Sequence, residues 1–69
     1  MIYARPFEVS NRVTITSAIS NLGILAGTPG TVVAVFGRDS AWRVVVRVAD
    51  DVNGSQDFEL AATAVALAT

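Results

Sequence analysis

Phe7-Glu8-Val9-Ser10-Asn11-Arg12-Val13-Thr14-Ile15-Thr16 is the stretch on which the reading of this chain turns. Its odd positions, Phe7, Val9, Asn11, Val13 and Ile15, are apolar apart from the asparagine, and its even positions are all polar. Side chains of an extended strand alternate between faces, so a period of two predicts a half-buried strand over residues 7–16 with the odd face turned to a core. The period is not the 3.6 of an amphipathic helix.

Working outward from that strand, residues 17–26 hold no sustained period. They read as a ten-residue loop with a turn at Asn21-Leu22-Gly23 and apolar members Ile19, Leu22, Ile24 and Leu25. Gly27-Thr28-Pro29-Gly30 then predicts a tight turn, because proline pre-sets φ and glycine accepts positive φ. Residues 31–36 form a second strand, apolar on both faces, with Val32, Ala34 and Phe36 assigned inward and Val33 and Val35 outward. Gly37-Arg38-Asp39-Ser40 makes a hairpin loop into a third strand at 41–48. There Trp42, Val44, Val46 and Val48 take one face and Ala41, Arg43, Val45 and Arg47 the other. A turn over 50–55, marked by Asn53-Gly54, leads to a short strand at 56–60 that points Phe58 and Leu60 inward. One helical turn at 61–63 and a final strand at 64–68, with Val65 inward, complete the chain. Helix propensity also supports one alanine-rich helix over 59–68, and that alternative stays open here.

Five short strands, a long first loop and a helical turn before the last strand predict an all-β fold: a single domain, 1–69 with its core at about 7–68, shaped as a small five-stranded barrel. The order strand, irregular loop, Gly30-Thr31-Val32-Val33, hairpin and Trp42-Arg43-Val44-Val45-Val46-Arg47 resembles the SH3-like barrels over nearly the whole chain. Within that group Arg12-Val13-Thr14-Ile15, Gly30-Thr31-Val32-Val33, Val44-Val45-Val46-Arg47 and Asp57-Phe58-Glu59-Leu60 are similar to the PsaE family of photosystem I subunits. That resemblance implies a cofactor-free peripheral subunit that helps ferredoxin dock through basic residues. The chain departs from the family in its first loop, which lacks a Ser-Tyr-Trp stretch, and in having no lysine.

Composition removes most chemistries. The chain has 69 residues, 52% of them apolar and 16% charged, with no histidine and no cysteine; mean hydropathy is +0.53. Without histidine there is no Ser–His–Asp triad, and without cysteine or lysine there is no thiolate nucleophile and no Schiff base. The same absences remove disulfides and the usual zinc, haem and iron–sulfur ligands. The expectation is therefore a non-enzymatic protein with no catalytic residue, no metal and no cofactor. The acidic group Asp50, Asp51, Asn53, Ser55, Asp57 and Glu59 offers oxygen ligands, yet counting from Asp51 puts Gln56 and Ala62 where a calcium loop needs Gly and Glu. Residues 13–37 carry no charge, but Pro29-Gly30 within them would leave backbone groups unsatisfied in hydrocarbon, so no membrane span is expected. The start of the chain lacks the order of a signal peptide, which predicts a cytoplasmic location.

A core this small supplies only a few kcal/mol, which makes self-association or docking onto a partner the expected supplement. The candidate partner-binding residues are Val33, Val35 and Val45 on the outer face, Ile24 and Leu25 in the loop, and Arg43, Arg47 and Arg12 at the rim. A contiguous apolar patch marks an interface, whereas scattered apolar residues do not. The competing possibility is that the long loop folds back over Val33 and Val35. Arg12, Arg43 and Arg47 beside Trp42 also suggest a nucleic-acid face, against which stands the net charge of −1.

Overall fold

The computed structural model describes residues 6–38, 41–50 and 54–68. Five strands run in sequence as β1 (Arg12–Ile15), β2 (Pro29–Phe36), β3 (Arg43–Asp50), β4 (Gly54–Ala61) and β5 (Val65–Leu67), with 3-10 turns at Ser20–Leu22 and Ala62–Ala64. All pairings are antiparallel, and the strand order is β4-β3-β2-β1-β5. The fold is thus small, all-β and barrel-like, and residues 59–67 are strand, 3-10 turn and strand where the alternative was a continuous helix over 59–68. No helix among the described residues is long and apolar enough to cross a membrane.

The two ends of the order, β4 and β5, are joined through the turn Ala62–Ala64. The Ala62 N–H donates to the Trp42 carbonyl at 3.0 Å, just ahead of β3, and the Ala64 carbonyl accepts from the Thr16 N–H at 2.9 Å, just past β1. This short turn therefore ties both halves of the sheet together where the strands themselves do not pair. Val13, Ile15, Val32, Val44 and Val46, all at 0–1% exposure, fill the space it encloses, with Phe7, Ile24, Leu60 and Val65 completing the core.

The first strand is shorter than its alternation suggests. Ser10 sits at φ 82°, in the left-handed region, so the extended run begins only after it. The Asn11 Oδ1 accepts from the Glu8 N–H at 2.8 Å while the Asn11 N–H donates to the Glu8 carbonyl at 3.1 Å, closing a turn over residues 8–11. Phe7 keeps its place in the core, whereas Val9 is 52% exposed. The polar residue in the apolar face was the mark of that turn.

Pro29 and Gly30 belong to β2 and not to the preceding turn. Pro29 opens the strand opposite Thr14, a position where its missing N–H is tolerated. Gly30 lies where a Cβ would collide with Val46 Cγ1 and come within 3.2 Å of the Arg47 carbonyl oxygen. Only a residue without a side chain lets β2 approach β3 this closely. The hairpin residues Asp39 and Ser40, and Asp51, Val52 and Asn53 of the acidic turn, lie outside the described residues.

Candidate protein-interaction face

Pairing of β3 with β4 defines two faces. Val44 opposite Leu60 and Val46 opposite Phe58 look into the core, while Arg43 opposite Ala61, Val45 opposite Glu59 and Arg47 opposite Asp57 look outward. On β2 the register slips between Val32 and Ala34: Val32 faces Val46, but Ala34 faces Val45, Val35 faces Val44 and Phe36 faces Arg43. Val33 is the extra residue of a β-bulge, and one inserted residue reverses the face of every residue after it.

That reversal corrects the assignment made from alternation. Val35, expected outside, packs against the core across from the fully buried Val44. Phe36, expected inside, is 43% exposed on the outer face, and Ala34 joins it there. Val45 keeps its outward place, half-buried between Arg43 and Arg47, and Val33 is half-buried at the bulge. The outer face therefore carries an apolar strip of Phe36, Ala34 and Val45.

Charged pairs border this strip. Arg47 grips Asp57 with two hydrogen bonds, Nε to Oδ1 at 2.9 Å and Nη2 to Oδ2 at 3.1 Å. The hydrogen bond from Arg47 holds the Asp57 carboxyl below its ordinary value, and the same bond raises Arg47. Arg43 binds Glu59 diagonally, with Nη2 and Nε both 3.1 Å from Oε2. Arg12, exposed on β1, stands opposite Thr31 and has no carboxylate partner among the described residues.

The loop residues divide. Ile24 is 6% exposed and belongs to the core, anchored by the pair of backbone bonds it shares with Ile19. Leu25 is 73% exposed and Leu22 41%. The loop borders a cavity of 280 Å³ against Val48, Ala49, Gln56 and Phe58, so it lies over the end of β3 and β4 and not over Val33 and Val35. Trp42, expected with the buried set, is half-buried and lines a separate 440 Å³ cavity with Pro6, Phe7 and Thr63.

Among the described residues no group of three acidic side chains gathers in a way that would hold a metal ion. Phe36 and Ala34 are the outward residues that alternation missed, because Val32-Val33-Ala34-Val35 contains no glycine or proline to announce the bulge. The geometry defines a small β-barrel-like scaffold with one apolar outer strip edged by Arg–carboxylate pairs. Comparison of the chain with protein-family models, with curated proteins and with solved structures finds no match.

Proposed function

We propose that this chain is a non-enzymatic protein-interaction module on an SH3-like scaffold, acting as a homo-oligomer or as a peripheral subunit of a larger assembly. One observation carries the reading: the bulge at Val33 turns Phe36 out to solvent, in line with Ala34 and Val45 and bordered by Arg43–Glu59 and Arg47–Asp57. An aromatic anchor with an apolar surround and a polar, charged rim is the anatomy of a protein interface. The rim pairs would set orientation more than affinity. Both the nucleic-acid alternative and PsaE-like docking of ferredoxin ask for a free basic face, and the carboxylates held by Arg43 and Arg47 weigh against each.

Sedimentation equilibrium of the wild type and of Phe36→Asp, together with capture from native extract on each, tests this. Concentration-dependent association, or a captured protein, that is lost in Phe36→Asp while the unfolding midpoint stays put supports the proposal. A monomeric wild type that captures the same proteins as Phe36→Asp refutes it.

A further inference from the structure

At one end of the outer face a single cross-strand row runs over four strands. Arg12 on β1 is registered opposite Thr31 on β2, Thr31 opposite Arg47 on β3, and Arg47 opposite Asp57 on β4. Neighbouring strands lie about 4.8 Å apart, so the two arginine positions are roughly 10 Å from each other with the threonine between them. Arg12, Thr31 and Arg47 line one cavity of 390 Å³, to which Ser55 contributes a second hydroxyl. Ala49 and Ala68, small residues on the outward register, also line it, so little side chain rises above the sheet here.

The donors in this notch are unevenly used. Arg47 spends Nε and Nη2 on Asp57, which leaves Nη1 outside the pair, and Arg12 has no carboxylate partner among the described residues. Two guanidinium groups and one carboxylate leave the row with a single net positive charge. A site of that charge, holding fork-shaped donors and a hydroxyl, matches one monoanionic, planar group, since arginine recognises carboxylates through paired N–H donors. It does not match the repeated charges of a nucleic-acid backbone, which calls for several clustered cations.

We propose that the Arg12–Thr31–Arg47 notch receives an aspartate or glutamate side chain from the protein that docks on this face. The inference rests on the reading of the face as a protein interface and adds the chemistry of the partner: an acidic residue lying beside an apolar contact. Arg12 supplies the unspent charge, Thr31 a hydroxyl donor, and Arg47 is held in place by Asp57. Removal of Arg12 alone should therefore empty the notch without disturbing the sheet.

The test is an NMR titration of the full chain with sodium acetate, run against sodium chloride at matched ionic strength and against inorganic phosphate. The signals followed are the arginine Nε–Hε groups and the Thr31 amide. Saturable shifts at Arg12, Arg47 and Thr31 with acetate, absent for Arg43 and Arg38 and abolished in Arg12→Gln, support the proposal. Non-saturating shifts, equal shifts with chloride, or a response that survives Arg12→Gln overturn it. Tighter binding of phosphate than of acetate overturns the choice of a carboxylate. Shifts at these signals that grow with protein concentration before any acetate is added assign the notch to a second copy and overturn the partner's acidic residue. Because Phe36 lies outside the notch, Phe36→Asp should leave the acetate response unchanged, so failure of the notch and failure of the apolar strip register in different experiments.

Discussion

Gly30→Ala tests the closest approach in the molecule. The added methyl would sit under 3.0 Å from Val46 Cγ1, against ordinary carbon contacts of about 3.5–4.0 Å. Val46 is 0% exposed and β-branched, so it has neither free space nor an easy second rotamer into which to retreat. Overpacking of this kind costs about 1–3 kcal/mol, taken here as about 2. Val46→Ala alone removes two buried methyl groups and leaves a small void, which also costs about 2 kcal/mol. If the two effects added, the double variant would lose about 4 kcal/mol, close to all that a core of this size supplies. The methyl introduced at position 30 instead enters the space that Val46 Cγ1 vacates. Gly30 is not in the left-handed region, so alanine is compatible with its backbone and gains by restricting the unfolded chain. The double variant should therefore be no less stable than Val46→Ala, with a coupling of about 2 kcal/mol in a double-mutant cycle. Urea unfolding followed by the fluorescence of the single tryptophan, Trp42, measures all four corners. Gly30→Ala at wild-type stability, or a cycle that is additive within about 0.5 kcal/mol, would refute the close approach of β2 and β3.

Three further perturbations probe separate features. Asp57 has its carboxyl lowered by Arg47, so its contribution is present above the unfolded-state value and is lost as pH falls through the folded one. The difference in urea midpoint between wild type and Asp57→Asn should be largest near neutral pH, shrink with added salt, and vanish once pH drops well below about 3.9, the ordinary aspartate value; a difference that persists in strong acid would contradict the ion pair. Ser10→Gly should raise stability by about 0.5–1 kcal/mol in the same assay, because glycine adopts the φ of 82° without the strain a Cβ imposes. Within the loop, Ile24→Ala should cost about 2–4 kcal/mol and its neighbour Leu25→Ala less than about 0.5, and equal losses would deny that the loop feeds Ile24 and not Leu25 into the core.

The number and order of elements were legible because they depend on local pattern. Alternation at Val13 and Ile15, the valine-rich run at 44–48 and the turn glycines each point to one local structure, and β2 to β5 lie where these signals put them to within about two residues. The alanine segment before Val65 admitted either a helix or a short turn and strand, and it forms the latter. The first strand is shorter than its pattern for an equally local reason. Alternation counts faces, but it does not register that Asn11 spends its side chain on the Glu8 N–H, which makes a turn of residues that would otherwise extend. Asn11 was the one irregular residue in the pattern, and it marked the boundary.

The face of β2 was illegible for a different reason. Parity along a strand is a running count, so a single uncounted residue inverts everything beyond it while leaving each local preference satisfied. Val33, Ala34 and Val35 are all acceptable on either face of a sheet, and nothing in their chemistry favours the register with the bulge over the one without it. The choice is made by β3: Val44 and Val46 must both be buried, and across from them the bulged register sets Val32 and Val35, where simple alternation offers Val32 and the smaller Ala34. Burying a valine in place of an alanine gains the transfer free energy of two more carbons, about 1.6 kcal/mol. The same slip moves Phe36 to the surface, which weighs against it. That loss is limited because Phe36 stands at the end of β2 and keeps more than half of its surface covered, at 43% exposure. Packing across the barrel thus selects the bulge, and the outward aromatic on which the proposed interface rests is a consequence of how β2 fits β3.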